Sequence, residues 1–206
     1  MRTKGIMKKI YVLLICILLA WHSEAQYRFE DSIAMARNNI TKHAMIALAS
    51  WAVLNISTGF IIANQTSGEA KYAWRMNAYW NFVNLGLATL GYFGTLRVMS
   101  KKLSFTDNLK AQQTMEKLYI FNMGLDLAYI AGGLYLRERG NSESKLDTRD
   151  QYKGYGTGVI IQGGFLLLFD IVNYSLHHMN TIKMEKRLRQ WELGSGPGGI
   201  GLVYHF

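Results

Sequence analysis

The chain has 206 residues, half of them hydrophobic, with 20 glycines, one proline and a formal charge of +9. Soluble domains of this size place several prolines in their loops, whereas an apolar, proline-poor, glycine-rich chain fits long helices packed through small residues. The excess of Lys and Arg sits at the ends of apolar segments and not in a basic patch with a nucleic-acid fold motif, so no nucleic-acid partner is expected.

The first 25 residues have the three parts of a secretory signal. A basic stretch ends at Lys9, an apolar core runs over 10–21, and Ser23-Glu24-Ala25 offers a small-x-small cleavage site before Gln26. The core is about 12 residues, short for a membrane span, although an uncleaved anchor is the alternative. The only cysteine, Cys16, lies inside this segment behind Ile15, which is too large for a lipoprotein signal. The mature chain would then have neither disulfides nor thiolate chemistry.

After it, QYRFEDSIAMARNNI carries Phe29, Ile33, Ala36 and Ile40 at helical spacing and reads as an amphipathic helix lying in a membrane interface. Four apolar segments follow, over 42–63, 73–98, 117–136 and 156–178. Each is long enough to cross about 30 Å of hydrocarbon at about 1.5 Å per residue. Trp74, Tyr79, Tyr119, Tyr135 and Tyr155 fall toward their ends, as in aromatic belts. Connections over 64–72, 99–116 and 137–155 are polar, which predicts an all-α, transmembrane, antiparallel four-helix bundle over 26–192.

A second amphipathic stretch, TIKMEKRLRQW, reads as another interfacial helix or as a basic continuation of the fourth span. Residues 193–206 form a Gly-rich linker and extended tail. There Ile200, Leu202, Tyr204 and Phe206 alternate as in a strand that docks on the bundle or on a partner's sheet edge. Orientation is contradictory: a cleaved signal puts both ends outside. By contrast, about 12 Lys/Arg on that face against about 7 on the other favour the cytoplasm under the positive-inside rule.

The polar residues inside the spans are the candidate site. Asn77, Asn81 and Asn84 share one face with Ala88, Gly91 and Thr95, and Asp170, Asn173, Tyr174 and His177 share another. Asn55, Asn84, Asp126 and Asp170 lie at similar depth, about 12–20 Å from one face, which predicts a polar layer near the midplane. With Asn122 and Asn173 they are the expected ligand- or ion-binding residues. A carboxylate at that depth costs several kcal/mol unless it is paired, protonated or bound to a cation. His43 and His177 near one face are candidates for a metal or haem, without CxxCH or HExxH support. Gly59-x3-Ala63, Ala128-x3-Gly132 and Gly163-Gly164 are candidate close-packing sites. Short internal echoes pair Trp51-x3-Asn55 with Trp80-x3-Asn84, and GLDLAY with LFDIVNY.

The segments WAVLN, WNFVNLGLATLGY, FNMGLDLAYIAGGLYL, IIQGGFLLLFD and the terminal GLVYHF, with the signal peptide, resemble a family of small bacterial membrane proteins of unknown function. The resemblance implies a four-span membrane protein and supplies no activity; a bacterial membrane, the inner one, is the expected location. The leading expectation is a non-enzymatic membrane component, structural or partner-interacting, with no cofactor. Its expected partners are the lipid bilayer and a second copy or another membrane protein. The alternative is a small-cation or proton conductor using Asp126 and Asp170, and the third reading is a haem- or ligand-binding membrane protein. N-terminal sequencing of the protein purified from membranes is expected to begin at Gln26; a chain that still begins at Met1 would make the first segment an anchor.

Overall fold

The structure, a computed structural model, describes the backbone of residues 2–99, 101, 103–189, 191–196 and 199–204, and side chains over 32–99, 101 and 103–186. The apolar segments form four helices that run past the ends predicted from hydropathy: α1 (Arg2–Gln65), α2 (Gly68–Met99), α3 (Phe105–Asn141) and α4 (Leu146–Arg189). The single proline, Pro197, lies beyond all of them, so no ring interrupts a helix. The polar connections expected to be loops are largely helical, because hydropathy marks apolar residues and not where backbone hydrogen bonds end. Gly68 takes φ +59° where α1 turns back into α2, a conformation that favours glycine. Ser104 caps α3 by accepting from the Asp107 backbone N–H at 3.2 Å.

The stretch read as a first interfacial helix is instead continuous with the bundle, and the second follows the alternative reading, a continuation of the fourth span. The first lies on α1, where Ile33 and Arg37 are buried; the second begins on the last turns of α4, where Thr181 and Met184 are buried and Ile182 is exposed. Trp191 is not helical. It opens β1 (Trp191–Gly196), which pairs antiparallel with β2 (Gly199–Tyr204) from Trp191↔Tyr204 to Gly196↔Gly199. The tail's alternation is thus a hairpin within the chain, and the residues once assigned to a linker supply its other strand.

α3 packs mainly on α4, α1 on α2, and α2 on α4, whereas α1 touches α4 and α3 only lightly. Among the described residues, the backbones of α2 and α3 do not approach one another, and the two helices meet through side chains, Glu69 with Arg137 and Trp80 with Tyr129. Glycines set the close approaches. A Cβ on Gly156 would stand 3.0 Å from the Arg137 backbone N, and one on Gly133 would stand 2.7 Å from the Gly156 carbonyl oxygen. Gly158 lies as closely against the Ala73 carbonyl on α2, and Gly59 of α1 against Ala78. Gly132 and Gly164, predicted as contacts, have nothing within 4 Å, so α3 uses the glycine one position later and α4 uses Gly163 alone of its pair.

The bundle is polar inside and apolar outside. The buried residues of α2 include Asn77, Asn81, Asn84 and Thr95, the face that the sequence spacing marks, while Phe82, Val83, Leu90 and Phe93 are exposed. α3 likewise buries Asn108, Gln112 and Asp126 and exposes Phe121, Leu127, Leu134 and Tyr135. Tyr119, assigned to an aromatic belt, is buried against His177. Two of the described helices, over Ser32–Gln65 and Leu146–Lys186, are long and apolar enough to cross a membrane. Averaging along α2 and α3 mixes their polar inner faces with their apolar outer ones.

Replacing Gly156 with Val is expected to force α3 and α4 apart and cost about 1–3 kcal/mol, as overpacking of a tight contact does. Gly132→Ala, which meets open space, is expected to be neutral or slightly stabilising. Thermal unfolding of the two variants beside wild type checks the contrast, and equal effects would mean that this glycine contact is not close-packed.

Candidate functional site

Three polar tiers cross the bundle. At one end, Arg137 of α3 pairs with Glu69 of α2 at 2.5 Å and also donates to Thr157 of α4, whose hydroxyl donates to Glu69 at 3.2 Å. Beside it the Tyr72 hydroxyl donates to Asp147 at 2.7 Å, and that bond holds the phenol above its ordinary range.

The middle tier is built on Gln162 of α4. Its Oε1 accepts from the Trp51 indole N–H at 3.3 Å and from Asn84 Nδ2 at 3.4 Å, and its Nε2 donates to Asn77 Oδ1. Asn77 in turn donates to Asn55 at 2.5 Å, and Asn84 donates to Asn81 at 3.1 Å. Trp51 is placed by stacking on Phe165, with ring centroids 3.8 Å apart and planes at 4°. This tier is closed upon itself, with amide donors meeting amide acceptors.

The third tier surrounds His177, which is fully buried. Gln112 Nε2 donates to the His177 backbone carbonyl at 2.6 Å and lies 3.4 Å from Nδ1, and Thr41 Oγ1 lies 3.5 Å from Nε2. Arg37, also buried, donates through Nη1 to the Asn108 carbonyl and to its Oδ1, each at 3.1 Å, and its Nη2 has no partner among the described residues.

Between the second and third tiers lies a cavity of about 520 Å³ lined by all four helices. Asp126 of α3 and Asp170 of α4 face each other in its wall, close enough for a side-chain hydrogen bond between the two carboxyls. Asp126 is 3% exposed and its Oδ2 has no hydrogen-bond partner among the described residues. Asn84 and Asn122 also line the cavity, with Trp80, Tyr119 and Tyr129 as aromatic wall. The Trp80 and Tyr129 rings meet edge to face at 4.8 Å.

Asn84, Asn122, Asp126 and Asp170 therefore come together as one site. Asn55 belongs to the Gln162 tier, and Asn173 donates to the Phe169 carbonyl at 2.7 Å and lines a different cavity, between α1 and α4, together with His43. His43 is exposed in that second cavity, whereas His177 is buried between Thr41, Gln112 and Tyr119, so the two imidazoles have separate surroundings. Among the described residues no three His, Cys, Asp or Glu side chains group as metal ligands.

Arg37, Asn108, Gln112 and Asn180 are missed by the sequence reading. A signal was present: Ile33, Arg37, Thr41, Ala44 and Leu48 fall at steps of three and four on one face of α1. A charge within that stripe breaks the apolar pattern, which hides Arg37 from a reading based on apolar spacing. The echo of GLDLAY and LFDIVNY does have a spatial counterpart, since it puts the two acids opposite each other on packed helices. The Trp–Asn echo does not, because Asn55 and Asn84 bond different partners.

Against known families, residues 47–171 match the model of a family of unknown function, DUF6992, and the chain belongs to that family. The match covers WAVLN through FLLLFD and so contains both acids and the Gln162 tier. No curated protein and no solved structure matches the chain.

Gln162→Leu is expected to strand Trp51 and two asparagines and to destabilise the fold by about 1–3 kcal/mol, with Asn55→Leu costing less because it removes one bond. Unfolding of both variants in a common detergent measures this; a Gln162→Leu protein as stable as wild type would show the tier to be dispensable.

Proposed function

We propose that this DUF6992 protein is a non-enzymatic, multi-pass integral membrane protein of the bacterial inner membrane whose bundle holds a proton or small cation at Asp126 and Asp170. The observation that carries the reading is the meeting of those two carboxyls in a cavity wall, behind an apolar exterior. Exposed Phe, Leu and Val side chains on α2 and α3, over buried Asn, Gln and Asp, are the arrangement expected when lipid is the solvent. The four spans would cover 42–63, 73–98, 117–136 and 156–178.

Two carboxylates in contact in a low-dielectric interior repel strongly, and no ion pair reaches either one among the described residues. A hydrogen bond between two carboxyls needs one proton between them, and a cation relieves the same repulsion. The Gln162 tier supports a separate, structural part for the remaining polar groups: amide pairs that fix how α1, α2 and α4 meet, each bond worth about 0.6–2 kcal/mol in a membrane.

A hydrophobic carbodiimide, which adds to protonated carboxyls in apolar surroundings, tests the site. In membranes at pH 7 the wild-type protein is expected to gain an adduct on Asp126 or Asp170, located by peptide mass. The Asp126→Asn/Asp170→Asn protein should unfold within about 1 kcal/mol of wild type and gain none on that segment. A wild-type protein without an adduct there would sink the reading.

A further inference from the structure

The cavity that holds Asp126 and Asp170 is far larger than a proton or a bare ion needs. Its volume of about 520 Å³ lies within the range, roughly 300–1,000 Å³, of sites that enclose organic ligands. A small metal ion would want six or more oxygens at about 2.0–2.6 Å, and this wall is mostly apolar, with Met45, Leu48, Met115, Leu166 and Phe169 among its side chains.

The polar groups in the wall are few and convergent. Asp126 is nine-tenths buried and more, with one carboxyl oxygen unpartnered, and it lines this space together with Asp170. The aromatic rings of Trp80, Tyr119 and Tyr129 complete the wall. Carboxylate with aromatic rings is the chemistry that recognises organic ammonium ions, whose charge is spread over an apolar body and needs few directional bonds. Two carboxyls that share one proton carry one net negative charge, which a single positive charge balances.

The way in is also marked. The backbones of α2 and α3 stand apart, bridged only by side chains such as Trp80 and Tyr129, and the cavity lies across the gap between them. Val83 and Leu87 on α2 and Leu118 and Leu125 on α3 line the cavity and are exposed on the outer surface at the same time. They form a lateral mouth. In the membrane arrangement proposed above, that mouth opens to hydrocarbon, which an amphipathic cation enters far more readily than a hydrated inorganic ion.

We infer that the cavity between α2 and α3 is a binding site for a lipophilic monovalent organic cation, entered sideways from the bilayer and neutralised by Asp126 and Asp170. This rests on the reading of the two acids as a cation site and adds the class of ligand.

The full-length protein in detergent, with tetraphenylphosphonium as probe, tests it by equilibrium dialysis. Saturable binding is expected, with protection of Asp126 and Asp170 from the carbodiimide. Asp126→Asn/Asp170→Asn should abolish it, and Trp80→Ala should weaken it by about ten-fold or more through the lost cation–π contact. Tetraphenylborate, of the same shape and opposite charge, should not bind to the wild type beyond its binding to the double variant. If the carbodiimide adduct forms but tetraphenylphosphonium neither binds nor protects, the organic-cation site is overturned while the carboxyl-pair reading stands. If neither adduct nor binding is found, both fall. Binding that persists unchanged in the double variant is partition into detergent or apolar surface and also overturns the inference. Circular dichroism and unfolding of each variant establish that it is folded. Leu87→Trp, placed in the mouth and away from the acids, is expected to slow tetraphenylphosphonium entry, and an unchanged rate would overturn the lateral route.

Discussion

The amide of Gln162 sits where no water reaches and meets three side chains from two other helices: the indole of Trp51 on α1, and Asn77 and Asn84 on α2. A buried amide is costly unless each of its donors and acceptors is met. Satisfying this one fixes α4 along its length against α1 and α2 together. A slip of a turn would leave several amides unpaired at once, so the tier selects one arrangement among the many that apolar ridges would accept. The α4 glycines act with it: Gly158 admits α2, Gly156 and Gly163 admit α3, and the backbones come near enough for short amide side chains to reach across.

An interior of this kind inverts the usual relation between hydropathy and burial. In α2 and α3 the residues most shielded from the surroundings include Asn, Gln and Asp beside small Ala and Gly, and those least shielded are Leu, Phe and Val. The stripes of Asn77, Asn81 and Asn84 and of Asp170, Asn173 and His177 are readable directly from spacing, because polar side chains inside apolar helices stand out. Close-packed glycines are less readable: Gly132 and Gly133 differ only in which side of α3 they occupy, and one residue is a rotation of about 100°. The chain's ends are the least readable. Alternation marks β2, but its partner β1 is half glycine and serine and follows shortly after a basic helix end.

The candidate site is legible in part. Depth along each span brings Asn84, Asp126 and Asp170 to one level, and the structure joins them around one space. Depth says nothing about azimuth, so Asn55 at the same level turns to the Gln162 tier, and Asn173, about one turn past Asp170, lines another cavity. Nor does it show that the backbones of α2 and α3 stay apart while α2 and α4 close upon one another through Gly154 and Gly158. The family assignment spans the residues that form both the tier and the acid pair, and no activity comes with it.

Arg37 adds a constraint of a different kind. It lies one turn before Thr41, which lines the cavity, and its guanidinium is anchored to Asn108 in a part of the bundle filled by Gln112, His177 and Asn180. At the other end the Gln162 tier is sealed by its own amides. A cation held by the two acids, as proposed, would thus be faced by fixed positive charge in one direction and by closed hydrogen bonds in the other. On the proposed reading such a chamber would be blind among the described residues: a guest would leave by the opening through which it entered, exchanged instead of threaded from one side to the other. A through-path would need the Arg37–Asn108 clasp to open, so the bond that fastens α1 to α3 is also the one that sets whether this bundle behaves as a receptor or as a passage.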